Sequence, residues 1–235
     1  MTSITPIAYV ESPFKQKFGL PRQPGLIDAA EAYLRFVHPF DTPQAFSGIE
    51  KFSHIWLQFE FHKNKRDTFQ PMVRPPRLGG NTKIGVFASR SSFRPNALGL
   101  SVVRLKEVVI EDGKASLRIS CPDLLDGTPI LDIKPYIPYS DSIPSATASY
   151  ADTAPNKTLR VEFSAEAIDS LENHLLKNEA IELERLITEV IELDPRPAYK
   201  AATHDVKDYY IRLYDWDIGW RVAGEQATIT SVKKA

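Results

Sequence analysis

Between His62 and Lys106 the chain places ten lysines or arginines against a single acid, Asp67, although its overall net charge is -1. Cations gathered at this density suit a polyanion or a carboxylate-bearing ligand. Arg74, Arg77, Arg90 and Arg94 stand among Gly79, Gly80, Gly85 and Gly99, where backbone can approach a ligand closely. Pro75-Pro76 and Arg94-Pro95 stiffen the run, because a residue before proline is pushed out of the helical region. A solvated basic surface is the bland reading of such a run; the glycines and prolines beside the arginines argue for a site. Further on, Asp123-Leu124-Leu125-Asp126 and Asp132-Ile133-Lys134-Pro135-Tyr136 bring carboxylates, a cation and an aromatic ring close in sequence. Asp126, Asp132 and His62 are candidate proton acceptors, a role worth roughly 10² to 10⁴ in rate. Asp123 and Asp126 read equally as turn caps. Tyr136 reads equally as a face on which an unstacked base lies and as a sheet-wall aromatic.

Metal chemistry finds no support in the sequence. His38, His54, His62, His174 and His204 show no ligand spacing, and Cys121 is the only cysteine. No glycine-rich dinucleotide fingerprint and no Gly-x-Ser-x-Gly elbow occurs. Residue chemistry by itself therefore names no cofactor.

The elements that must position these groups are short. Residues 4–10, 52–61, 82–88, 100–110 and 115–121 predict strands, rich in Ile, Val and Phe and bounded by turn residues. Asp112-Gly113 predicts the hairpin between the last two, since such turns need positive φ. Repeated short strands favour a sandwich or closed barrel over βαβ units. Residues 26–36 predict a short helix. Ser164 is placed to cap a helix, with Phe163 and Ile168 at hydrophobic-staple spacing and Ile168, Leu171 and Leu175 on one face. A second helix spans about 179–193, with Leu183, Leu186, Ile187 and Val190 buried, and Asp194-Pro195-Arg196-Pro197 ends it. Residues 209–214, 220–223 and 227–232 predict a small sheet with Trp216 and Trp220 in its core. The polar stretch 140–157 marks the boundary. The expected fold is α+β, a first domain over 1–145 and a smaller α+β domain over 158–235, helices at 164–193 preceding the sheet.

Residues 161–194 hold ten acids against Lys177 and Arg185, nearly the reverse of the basic segment. That asymmetry suggests one RNA-facing side and one solvated or repelling side. A single cysteine suits a reducing cytoplasm. The start Met1-Thr-Ser-Ile-Thr-Pro6 lacks signal-peptide character, and no apolar run approaches the ~18 residues of a membrane span. A soluble cytoplasmic protein is expected.

The basic segment also carries a resemblance. Phe87-Ala-Ser-Arg-Ser-Ser-Phe-Arg-Pro-Asn-Ala-Leu-Gly-Leu-Ser101 is similar to the signature of the TsaA-like (TrmO) family. Lys17–Pro24, Ile55–His62 and Asp123–Tyr136 match further motifs in the expected order, over about residues 4–145, and Asp194–Tyr199 resembles the longer bacterial form. The resemblance implies a small β-barrel that binds S-adenosyl-L-methionine and methylates N6 of the threonylcarbamoyl-bearing adenosine just 3′ of the anticodon in threonine transfer RNA. It also implies a homodimer with the cofactor near the subunit interface. Carried over residue by residue, its cofactor contacts are Pro21, Arg22, Gln23, His62, Lys63, Arg90, Leu100, Asp123, Leu124, Leu125 and Asp126. Asp126, Asp132 and Tyr136 are then the expected catalytic groups. Arg74, Arg77, Arg94, Lys134, Arg196 and Tyr199 are the expected transfer RNA contacts. A non-catalytic RNA-binding barrel and a small-molecule hydrolase using Asp126, His62 and Ser89 or Ser91 are the competing readings.

Overall fold

The computed structural model describes residues 3–64, 68–120, 122–197 and 207–235. Its first part contains β1 (Ala8–Glu11), β2 (Glu31–Phe36), β3 (His54–Glu60), β4 (Met72–Val73), β5 (Ile84–Gly85), β6 (Leu98–Glu111), β7 (Lys114–Ser120) and β8 (Pro129–Pro135). Six of these strands close a barrel in the order β1-β2-β7-β6-β3-β8, and β8 pairs back on β1. Closure removes the exposed edges that an open sheet would have to protect. Along β3, Ile55, Leu57 and Phe59 point into the barrel while His54, Trp56, Gln58 and Glu60 face outward. Val10, Leu34, Val103, Leu117, Ile119 and Ile130 complete the interior. Asp112 and Gly113 both take positive φ at the β6–β7 turn, 50° and 74°, as its hairpin geometry requires.

Two sequence expectations change here. Residues 26–36 are not a helix: 31–36 form β2, between β1 and β7. Its alternation, with Ala32 and Leu34 buried and Glu31 and Tyr33 facing outward, is the strand period, and two barrel neighbours supply the hydrogen bonds. Residues 82–88 are not one strand either. They divide into the two-residue β5, paired with β4, and a single 3₁₀ turn at Val86–Ala88. Strand β8 lies among residues read from sequence as chemistry rather than structure.

The second part holds β9 (Arg160–Phe163), α2 (Ala165–His174), α3 (Lys177–Glu192), β10 (Tyr209–Leu213), β11 (Trp216–Ala223) and β12 (Gln226–Lys234); a one-turn α1 (Pro138–Asp141) precedes them. The sheet order is β10-β11-β12-β9, with β9 parallel to β12. Ser164 caps α2, its hydroxyl accepting from the Ala167 amide at 3.2 Å. The buried stripe of α2 is Ala167 and Leu171, whereas Ile168, expected on that face, is 42% exposed. Helix α3 buries Leu183, Leu186, Ile187 and Val190, and Trp216 and Trp220 sit in the same core. Phe14, Ile27 and Ala30 join this second core as well, although they lie between β1 and β2 of the barrel. The Tyr214 amide donates to the Pro13 carbonyl at 2.8 Å and the Ala29 amide to Glu189 Oε2 at 2.8 Å. The segment carrying residues 13–30 is thereby held between barrel and second sheet, and Arg22 and Gln23 ride on it.

Candidate functional site

The loop after β5 is built by its serines. The Ser89 hydroxyl donates to the Val86 carbonyl at 2.8 Å and accepts from the Ser91 amide at 3.3 Å; Ser91 Oγ accepts from the Phe93 amide at 3.2 Å. Such local bonds replace a ladder and fix an irregular backbone. Arg94 Nη1 adds bonds to the Ser89 and Val86 carbonyls at 2.8 and 3.4 Å. Arg94 thus braces the loop from within. Arg90, on the same loop, projects outward and donates to Gln23 Oε1 at 2.6 Å. Gln23 Nε2 in turn donates to the Arg22 carbonyl at 2.5 Å. Two motifs distant in sequence meet here.

Arg22 also lines a cavity of about 270 Å³ with Phe18, Gly79, Gly80, Pro195 and Pro197. Burial lowers its pKa and the charge of Asp194 opposes the shift, although the residue as a whole keeps an exposed surface. An arginine's pKa lies so far above neutrality that the charge survives. A larger recess of about 380 Å³ on α3 is lined by Lys157 and Arg185 as well as Glu184, Glu189 and Glu192, its cations paired with Glu192 and Glu189.

Asp123 is the most unusual carboxyl of the site. Burial pushes its pKa up to about 6, against the pull of a Ser101 hydrogen bond and the charge of Arg90. Its Oδ1 is buried with no hydrogen-bond partner. An orphaned acceptor of this kind is costly unless a ligand completes it. Asp126, three residues on, is engaged at both oxygens. Oδ1 accepts from the Ser12 amide at 2.9 Å and Oδ2 pairs with Lys15 Nζ at 3.0 Å. That arrangement latches the 12–15 segment to the turn and leaves Asp126 poorly placed as a free base. Leu124 is buried in the barrel core, and its carbonyl accepts from Ser12 Oγ at 2.8 Å; Leu125 and Pro21 are also largely covered.

His62 and Lys63 lead into Asn64, whose side chain bonds both Lys17 on the 13–30 segment and Ser92 on the loop of Arg90, while the other residues fall on other surfaces. His62 lies just beyond β3; burial and the neighbouring Lys63 lower its pKa, so the imidazole is neutral near pH 7. The Lys63 carbonyl accepts from Lys17 Nζ at 2.8 Å. Leu100 points out of the barrel wall, 53% exposed, while its neighbour Ser101 is buried. Asp132 and Lys134 face outward on β8, opposite Gln58 and Trp56, with 3.9 Å between their charges. Tyr136 packs at 5.9 Å from the Trp56 ring and 6.4 Å from His54. Asp126, Asp132 and Tyr136 therefore have separate partners and do not form one cluster. Arg74 and Arg77 are exposed, Arg77 touching Thr153 Oγ1 at 3.5 Å. Arg196 is only 4% exposed and its guanidinium grips Asp194 through Nε and Nη2 at 2.7 and 2.8 Å. Arg196 is a structural ion pair, which corrects its reading as an RNA contact. Tyr199 lies outside the described residues. Sequence reading missed Ser101 and Lys15, whose roles appear only when β6 and the 12–15 segment are placed beside the Asp123–Asp126 turn.

Among the described residues no group of three or more His, Cys, Asp or Glu could hold a metal ion. What the site offers is a guanidinium on a rigid loop, a buried acceptor oxygen and flanking cations. S-adenosyl-L-methionine has complementary parts: a carboxylate for Arg90, and an ammonium or amine N–H for Asp123 Oδ1.

Comparison with known proteins identifies relatives along the whole chain. Residues 9–142 match the tRNA-methyltransferase O N-terminal domain and residues 156–235 match the TrmO C-terminal domain. The tRNA (adenine(37)-N6)-methyltransferase of Escherichia coli strain K12 is 45% identical over 216 residues, covering 92% of this chain and 91% of that one. A human protein of the same name is 44% identical over 149 residues, covering 63% of this chain and 33% of its own. The crystal structure of TrmO from Pseudomonas aeruginosa superposes with a TM-score of 0.80 at 36% identity, covering 99% of this chain and 98% of the other. With both of its domains matched in order, the chain belongs to the TrmO family.

Proposed function

We propose that this protein is an S-adenosyl-L-methionine-dependent transfer RNA methyltransferase. Its target is N6 of adenosine 37, the position in the name of its Escherichia coli relative. The base already carries a threonylcarbamoyl group, the substrate is threonine transfer RNA, and the enzyme works in the cytoplasm as a homodimer. The observation that carries this reading is the meeting of Arg90, Gln23 and the Arg22 backbone beside a buried carboxyl with an orphaned oxygen.

The cofactor, when bound, supplies an electrophilic methyl group. Arg90, aimed by the serine-braced loop, binds its carboxylate, and Gln23 fixes the guanidinium in place. Asp123 Oδ1 accepts from a cationic or N–H group. Holding nucleophile and methyl donor in line supplies much of the acceleration, so rigid positioning is what this protein must contribute. The target nitrogen gives up a proton, and His62, kept neutral by burial and Lys63, is the acceptor suited to take it. Exposed Arg74 and Arg77 meet phosphate.

Leu100 supports the homodimer. It faces outward on β6, whereas Ser101 and the Asp123 carboxyl lie on the other side of the strand. One chain cannot easily bring both faces to one ligand; the wall of a second copy can. The decisive test is mass spectrometry of transfer RNA nucleosides from a strain lacking this protein. The N6-methylated threonylcarbamoyladenosine should vanish and return on complementation. Its persistence would overturn the assignment, and calorimetry showing no cofactor binding would leave a non-catalytic RNA-binding barrel.

A further inference from the structure

Phe87 is 72% exposed and Phe69 is 56% exposed, yet the two rings stack on each other, centroids 6.3 Å apart and planes 27° from parallel. Stacked phenylalanines with open outer faces forgo much of the burial that normally repays an aromatic side chain. Their arrangement is built, not accidental. The short β4–β5 ribbon sets Met72 opposite Gly85, which brings Phe69, ahead of β4, beside Phe87, behind β5. The Val86 amide donates to the Pro71 carbonyl at 2.9 Å, clamping the two approaches together. Arg94 is held by the Val86 and Ser89 carbonyls on either side of Phe87, with its guanidinium 5.9 Å from that ring's centroid. The serine-braced turn therefore displays Phe87 on a fixed backbone.

We propose that the Phe69–Phe87 pair is a stacking platform for an unpaired base of the RNA substrate. This inference rests on the transfer RNA reading above and adds a contact that neither the basic residues nor the cofactor motifs supply. Every base has a π-face, and single-stranded nucleic acid is commonly held by aromatic rings set in a cationic groove. The setting matches: Arg74, Arg77, Lys83 and Arg90 are all exposed on the same loop system. A second copy of this patch is a poor occupant, because an isologous contact would bring these cations against their own kind.

The test measures binding of a fluorescein-labelled anticodon stem-loop of threonine transfer RNA by anisotropy across a salt series. It compares wild type with Phe87→Ala, Phe87→Leu, Phe87→Tyr and Phe69→Ala. Stacking predicts that Phe87→Ala and Phe87→Leu each weaken binding about five- to hundred-fold, the range for one stacked base. Phe69→Ala should weaken it less, and Phe87→Tyr should restore it. The log-log salt slope should stay at the wild-type value, because stacking releases no counterions. Cofactor affinity by calorimetry should also hold, which shows that the variants are folded. Phe87→Leu binding as tightly as wild type overturns the platform. So does light scattering in which Phe87→Ala lowers the molecular mass, since the patch would then join copies of the chain. Wild type failing to bind the stem-loop would instead refute the underlying transfer RNA reading.

Discussion

Arg90 Nη1 donates to Gln23 Oε1 at 2.6 Å, joining residues 67 positions apart. The bond ties the loop after β5 to the segment held between barrel and second sheet. Arg90→Ala should weaken S-adenosyl-L-methionine binding by about 1.5 to 3 kcal/mol, one to two decades in affinity, for a lost charge-assisted contact. Gln23→Ala should show a smaller loss, because the guanidinium remains but is no longer aimed. Calorimetry on both variants, with circular dichroism to confirm folding, checks the order; equal or absent effects would remove Arg90 from the cofactor site.

Asp123 makes a pH-dependent prediction. Its carboxyl titrates near 6 in the folded protein, raised by burial from an ordinary value of 3.8. A group whose folded pKa is raised binds its proton more tightly when folded. Its contribution to stability is complete below about pH 4 and is lost as pH rises through 6. Above that, the buried carboxylate costs up to about 3 kcal/mol. Asp123→Asn should therefore raise the midpoint of urea unfolding at pH 8 and leave it nearly unchanged at pH 4, while cofactor binding falls. A variant destabilised at pH 8 would show that the carboxylate is held by partners in the fold.

Arg74 and Arg77 should behave differently from Arg94. Replacing either of the first two with Ala should lower the magnitude of the log-log salt slope of transfer RNA binding by roughly 0.7 to 0.9, at constant cofactor affinity. Arg94→Ala frees the Ser89 and Val86 carbonyls and loosens the loop that carries Arg90. Cofactor and RNA affinities should then fall together. Unchanged salt slopes in the first pair would place the RNA-facing surface elsewhere.

Arg196→Ala should destabilise the second domain by about 3 kcal/mol, since it strands Asp194 beside a buried ion pair's empty half. Arg196→Lys should rescue only partly, because an ammonium cannot reproduce the two-pronged contact. Thermal unfolding reads both. An unaltered melting temperature would return Arg196 to the surface and to RNA.

Leu100→Asp tests the dimer. A charge on the outer wall of β6 should lower the mass seen by light scattering at micromolar protein and reduce methyl transfer in step. A mass matching one chain in the wild type, at a concentration where it is active, would contradict the homodimer.

The sequence by itself determined the strand-rich first half and the helix-rich start of the second. It also showed the hairpin at Asp112-Gly113, the cap at Ser164 and the dense cations. These follow from local rules: a period of two, positive φ at a turn, a hydroxyl ahead of free amides. Residues 26–36 misled for the same reason. Acids early in an apolar stretch look like a helix start, and only the barrel, offering β1 and β7 as partners, makes 31–36 a strand. The arginines show the limit of composition most clearly. Arg74, Arg90, Arg94 and Arg196 are alike in sequence, but tertiary structure makes one an exposed arm, one a partner of Gln23, one a loop brace and one half of a buried ion pair. Sequence reading likewise favoured Asp126 over Asp123 for chemistry, and the structure reverses which of the two has an unpartnered oxygen. Folding beside Ser12 and Lys15 satisfies Asp126, and burial beside Ser101 leaves Asp123 with an empty acceptor. Burial and partner choice arise between segments distant in the chain, so residue type and spacing mark where chemistry is possible, and packing selects the side chain left free to perform it.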